Sequence, residues 1–228
     1  MSSGLNKQVF TFLNKLVKNN NRDWFNENKD QYLLAHDKMI AFSDELLHLM
    51  KSHDEIETPT GKKALFRIYR DVRFSKDKSP YKNHFSGSFK RATQHLRGGF
   101  YFHIEPGNTL IACGFFQPNK EDLLRIRQEI ANDAEPLRAL INTPEFKKNF
   151  GSLEGDCLKT APKGFDKEHP DIDLLRNKSY YVTDRFTDEE ALSPDFAKVI
   201  SIKFQSLRPY LDYFSEVLTT DENGLPLV

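Results

Sequence analysis

Phe100, Phe102 and Ile104 alternate with Tyr101, His103 and Glu105. The chain then passes through Pro106, Gly107 and Asn108 before Leu110 to Phe116 resumes an extended pattern. Apolar side chains at every second position turn one face of a strand inward and the other outward. Proline and glycine at the centre of Glu105–Asn108 suit a type II turn, since proline presets its φ and glycine accepts a positive one. The two runs are therefore predicted to pair as antiparallel neighbours. Phe85, Gly87 and Phe89 alternate with Ser86 and Ser88 and are expected to pair with the 100–104 strand. Residues 179–185 read as a final strand.

Helical spacing brackets this sheet on both sides. Val9, Phe10, Leu13, Leu16 and Val17 recur with the period of a helix over residues 6–18. The Asn19-Asn20-Asn21 run ends it, and Asn21 or Asp23 caps a second helical stretch over 24–50, striped by Phe25, Tyr32, Met39, Phe42, Leu46 and Leu49. After Pro118, Asn119 caps a helix over 120–132 with Leu123, Leu124, Ile126 and Ile130 inward. Thr143-Pro144-Glu145 opens a short helix that ends at Gly151, and residues 170–176 fit another. The acidic Asp188, Glu189 and Glu190 lead into a last helix from Ser193-Pro194 to about residue 218, with Pro209 as a kink point. Helices at both ends around an antiparallel sheet make an α+β fold, with helices from both chain ends packed on the sheet, rather than a βαβ series. No repeat or linker interrupts the chain, so residues 1–228 read as a single domain.

A chain of 228 residues buries enough surface to need no disulfides, and its 19 Phe and 8 Tyr point to an aromatic core. Cys113 and Cys157 form neither a CxxC pair nor a zinc spacing, and Cys113 sits in an apolar strand as a buried thiol. The first twelve residues lack the apolar run of a signal peptide, and no stretch approaches a membrane span. A cytoplasmic location without membrane partners is expected. The formal net charge is zero, which disfavours a general nucleic-acid coat.

That neutrality conceals segregation. Between residues 61 and 97 there are eleven Lys and Arg against two Asp, a local balance of +9, and such clustering creates a field that net charge hides. No phosphate loop, dinucleotide fingerprint, HExxH, nucleophile elbow or kinase signature occurs. His103 and Glu105 share one strand face, but two ligands fall short of a metal site, and they read as a surface pair. No metal and no cofactor is expected.

The basic segment is Phe66-Arg67-Ile68-Tyr69-Arg70-Asp71-Val72-Arg73-Phe74-Ser75-Lys76-Asp77-Lys78-Ser79-Pro80-Tyr81-Lys82. Its start is predicted to be a strand over 67–73, because β-branched and aromatic residues dominate. Arg70 would then lie among Phe66, Ile68, Val72 and Phe74, which is costly unless a carboxylate or a ligand anion pairs with it. The candidate ligand-binding residues here are Arg67, Tyr69, Arg70, Asp71, Arg73, Lys76, Asp77, Lys78, Tyr81 and Lys82. The guanidinium fork suits carboxylate or phosphate. The same residues equally fit an arginine–aspartate network that only fixes the loop. A second candidate cluster gathers Lys163, His169 and Arg176, near Lys159, Lys178, Tyr180 and Tyr181; the alternative there is an ordered loop tied down by Pro162 and Pro170.

FRIYRDVRFSKDKSPYK resembles the hallmark of the bacterial family called domain of unknown function 2461. Asn20-Asn21-Arg22-Asp23-Trp24-Phe25, Gly98-Gly99-Phe100-Tyr101, Pro162-Lys163-Gly164-Phe165, His169-Pro170, Leu174-Leu175-Arg176 and Tyr180-Tyr181 are similar to it too. The resemblance implies one domain over most of the chain and no assigned activity or cofactor. The function expected from the residues is binding of, or catalysis on, a phosphate- or carboxylate-bearing small molecule at the basic loop. Asp71, Asp77 and His169 are the available acids and bases. The alternatives are nucleic-acid binding through the same segment and a non-catalytic protein-interaction module.

Overall fold

A computed structural model describes residues 4–221 and 224–227. Its helices are α1 (Lys7–Lys18), α2 (Arg22–Glu27), α3 (Lys29–Met50), α4 (Gly61–Ala64), α5 (Lys120–Asn132), α6 (Glu135–Ile141), α7 (Pro144–Phe150), α8 (Ile172–Leu175), α9 (Asp188–Ala191), α10 (Phe196–Ser206) and α11 (Arg208–Thr219). The strands β1 (Phe85–Lys90), β2 (Gly99–Ile104), β3 (Thr109–Phe115) and β4 (Tyr180–Phe186) form one antiparallel sheet in the order β1-β2-β3-β4. The fold is α+β. No helix among the described residues is long and apolar enough to cross a membrane.

Local chemistry sets most boundaries. The Asn6 side chain accepts from Gln8 N at 2.8 Å and starts α1; Asn21 accepts from Trp24 N at 2.9 Å and starts α2. Asn119 does the same for α5 through Asp122 N at 2.8 Å. In the β2–β3 turn Asn108 N donates to Glu105 O at 3.0 Å, and Gly107 takes φ +73°, as the Pro-Gly pair requires. Gly151 closes α7 at φ +70°.

Three expectations need correction. The 24–50 helix is two helices broken at Asn28, whose side chain bonds back to Trp24 O at 2.9 Å and whose φ and ψ leave the helical region. The final helix likewise divides at Leu207, and Pro209 sits in the first turn of α11, where its missing N–H costs nothing. Residues 67–73 form no named strand. Main-chain bonds from Phe66 N to Ser86 O at 2.9 Å, Lys82 N to Ile68 O at 2.8 Å and Arg70 N to Pro80 O at 2.9 Å make an irregular ribbon with only isolated bridges. Burial still alternates over 67–73, with Arg67, Tyr69, Asp71 and Arg73 exposed and Ile68, Arg70 and Val72 turned inward, but Phe66 and the 95% exposed Phe74 do not join that inner face.

The chain divides into two compact units. Unit 1 comprises the described residues up to Phe89, Tyr101–Ile111 and Arg185–Ile202; unit 2 comprises Lys90–Phe100, Ala112–Asp184 and the described residues from Lys203 onward. In unit 1 the N-terminal helices bury aromatic side chains on strand residues. Phe12 of α1 meets Phe85 at 6.3 Å between ring centroids, and Phe42 of α3 meets Phe102 edge-on at 6.0 Å. In unit 2 the C-terminal helices do the same, with Phe204 against Phe100 at 4.9 Å and Phe214 against Phe115 at 5.0 Å. The buried charge of unit 2 is Arg91, wholly enclosed and bonded to Asp212, to Ser215 Oγ at 3.2 Å and to Arg97 O at 3.2 Å.

Candidate functional site

Unit 1 carries the basic segment as the end of the irregular ribbon. Tyr69 and Tyr81 face each other across its bridge, and Tyr81 stacks on Phe25 at 3.9 Å between centroids. Asn20 clamps Tyr81 at both main-chain atoms: its Nδ2 donates to Tyr81 O at 3.0 Å, and its Oδ1 accepts from Tyr81 N at 3.2 Å. The amide thus acts as a short length of neighbouring strand. The Asn20-to-Phe25 run and the Tyr81 end of the basic motif are in this way parts of one construction.

Residues 71–79 close the ribbon as a loop stapled by its own charges. Arg70 pairs with Asp77, whose other oxygen accepts from Ser79 N at 2.9 Å and Ser79 Oγ at 2.7 Å. Hydrogen bonds from Arg70 and then Ser79 hold the Asp77 carboxyl well below its ordinary value. Arg73 grips Asp71 with Nη2 at 2.7 Å and Nε at 3.0 Å, and that bond lowers the Asp71 carboxyl as well. Lys78 Nζ donates to Val72 O at 3.0 Å. Lys76 and the tip residue Phe74 are exposed.

Two cations of the motif are placed differently. Lys82 is half-buried with its ammonium 5.5 Å from the Phe66 ring centroid, and Arg67 is exposed beside it. Among the described residues no carboxylate forms an ion pair with either. Burial, and then the charge of Arg67, push the Lys82 ammonium below its ordinary value.

Next to Lys82 in the chain begins a cluster that spacing could not reveal. His84, just before β1, stacks on His103 of β2 at 4.0 Å between ring centroids. His103 Nε2 lies 2.8 Å from Glu105 Oε2, and its Nδ1 lies 3.1 Å from the Tyr101 hydroxyl. Asn83 Nδ2 donates to Glu105 Oε1 while its Oδ1 faces His84 Nδ1 at 3.1 Å; Asn108 Nδ2 donates to Glu105 Oε2 at 2.8 Å. Because the Asn83 amide nitrogen is committed to the carboxylate, its oxygen must accept from His84, which places the proton on Nδ1 and leaves Nε2 bare. Burial pushes the His84 imidazole down to about 4, helped by His103, Lys82 and Arg70 and opposed by Glu105. Burial raises the Glu105 carboxyl, yet the bonds from His103 and Asn108 outweigh it, so its net position is below the ordinary value. One ligand-capable atom from each of His84, His103 and Glu105 lies within 4.8 Å of the other two. The strand face of His103 and Glu105 was legible from their spacing; His84 joins them only through sheet pairing.

The second candidate cluster lies in unit 2 and is occupied with holding its own loop. His169 Nδ1 accepts from Asp171 N at 3.1 Å, and Nε2 meets Ala131 O at 3.2 Å, so both ring nitrogens are engaged. Arg176 Nε donates to Leu158 O. Lys163 is exposed. Of the basic stretch counted from 61 to 97, Arg91 and Arg97 also belong to unit 2, where they pair with Asp212 and Asp122.

A family model described as a conserved hypothetical protein (DUF2461) matches residues 8–213. No curated protein and no solved structure matches the chain.

Proposed function

The chain belongs to the DUF2461 family, and from the charges of unit 1 we propose that it binds a phosphate- or carboxylate-bearing small molecule at Arg67 and Lys82. The observation that carries this reading is the half-buried Lys82 ammonium beside the Arg67 guanidinium, with no carboxylate paired to either among the described residues. Two like charges held together cost free energy that an anion between them returns. The remaining basic residues divide by role. Arg70 and Arg73 are spent on Asp77 and Asp71 and hold the loop, so they shape the site rather than fill it. Tyr69 and Phe66 offer exposed aromatic surface for the uncharged part of the ligand.

The test is a thermal-shift series with inorganic phosphate, a nucleoside monophosphate and citrate at fixed ionic strength. A saturable rise in melting temperature is expected for the wild type. It should be lost in the Arg67→Gln, Lys82→Met double variant, whose own melting temperature stays near that of the wild type. A response that survives both substitutions removes the proposal. Binding to single or double strands that falls steeply with salt, with no small-ligand response, replaces it with nucleic-acid recognition.

A further inference from the structure

We propose that His84, His103 and Glu105 form a binding site for one divalent transition-metal ion of the zinc or iron type. Two imidazoles and one carboxylate are a donor set suited to first-row transition metals and poorly suited to magnesium or calcium, which take oxygen ligands. The donors come from two places in the chain. His103 and Glu105 stand two apart on one face of β2, and His84 stacks on His103 at 4.0 Å from the start of β1. With the three donor atoms within 4.8 Å of one another, an ion at roughly 2.1 Å from each draws the donors in by under about 1 Å, and the stacked imidazoles turn so that their lone pairs converge on it.

The groups behind the donors are arranged as metal sites require. Asn83 fixes the His84 tautomer with Nε2 as the bare nitrogen, and Asn83 and Asn108 hold the two oxygens of Glu105. Tyr101 sits behind His103 Nδ1 at 3.1 Å. The ion takes the place of the His103–Glu105 hydrogen bond: Nε2 ligates, and a proton on Nδ1 faces the Tyr101 oxygen, which accepts it. His103 and Glu105 retain 12% and 17% of their side-chain exposure, so water or a ligand oxygen reaches the remaining coordination positions. The inference is independent of the anion site, since neither Arg67 nor Lys82 is a donor.

Metal-stripped protein carrying Cys157→Ser, which removes the exposed thiol, is titrated with Zn2+ by calorimetry and with Co2+ by visible absorption. One ion per chain is expected. Glu105→Gln and His84→Ala should each weaken it by about tenfold or more, at least what the loss of a partner behind a ligand costs, with circular dichroism spectra like that of the parent. Lys82→Met should retain metal binding even where it abolishes the anion response, which separates the two readings. No Zn2+ uptake, uptake that survives both ligand substitutions, or equal affinity for Mg2+ overturns the assignment.

Discussion

Asp77 accepts from Arg70, from the Ser79 hydroxyl and from the Ser79 main-chain N–H at once. An acid whose folded-state pKa is lowered stabilises the fold above its unfolded value, and that contribution disappears as pH falls through the folded value. A nuclear magnetic resonance titration of the Asp77 carboxyl is therefore expected to find a midpoint below 3.8. A midpoint at that ordinary value means that the Arg70 staple does not form. The pairing of Arg70 and Arg73 was open at the level of sequence, because neighbouring Asp residues and an external anion satisfy a guanidinium equally well. Only the path of the loop decides which carboxylate comes within reach. Lys82 is the opposite case. Its position beside Arg67 follows from the ribbon register, and nothing in the residues around it announces that it lacks an acidic partner.

Between the residue and the fold stands the ribbon that joins Phe66–Arg70 to Pro80–Ser86. Its irregularity explains why the predicted strand over 67–73 failed: β-propensity reports fitness for a pleated surface, while here the main chain pairs only in places and then opens into the stapled loop. Asn20 supplies the missing edge for Tyr81. Asn20→Ala removes the partners of the part-buried Tyr81 N–H and C=O and is expected to cost about 1 kcal/mol, measured as a lowered denaturant midpoint at constant slope. A variant as stable as the wild type would show that the clamp contributes nothing. The elements that sequence did give were those written locally. The Pro106-Gly107 turn, the Asn119 cap and the Thr143-Pro144 start need no distant partner, and they stand at the expected residues. The break at Asn28 was missed because the apolar stripe continues across it, and a stripe senses burial rather than main-chain continuity; the one at Leu207 was marked only as a kink at Pro209.

Across the whole molecule, every crossing between the two units falls inside an element: β1 changes unit between Phe89 and Lys90, β2 between Phe100 and Tyr101, β3 between Ile111 and Ala112, β4 between Asp184 and Arg185, and α10 between Ile202 and Lys203. One unit cannot unfold without taking part of a strand from its own sheet ladder. A single calorimetric transition is expected, with calorimetric and van't Hoff enthalpies in agreement. Two resolved transitions would show that the units unfold separately. The same division sorts the basic stretch between residues 61 and 97. Its part up to Lys82 serves unit 1, while Arg91 and Arg97 serve the interior and the acids of unit 2. Charge counted along the sequence thus overstated the field at any one place, and the candidate site narrows to Arg67 and the half-buried Lys82, neighbouring cations that form no ion pair with a carboxylate among the described residues. A crystal structure of the protein grown with inorganic phosphate tests that claim most directly. The account predicts a tetrahedral anion within hydrogen-bonding distance of Lys82 Nζ and the Arg67 guanidinium, with Arg70 still on Asp77. Both cations turned to carboxylates of the protein itself, with no anion between them, would contradict it.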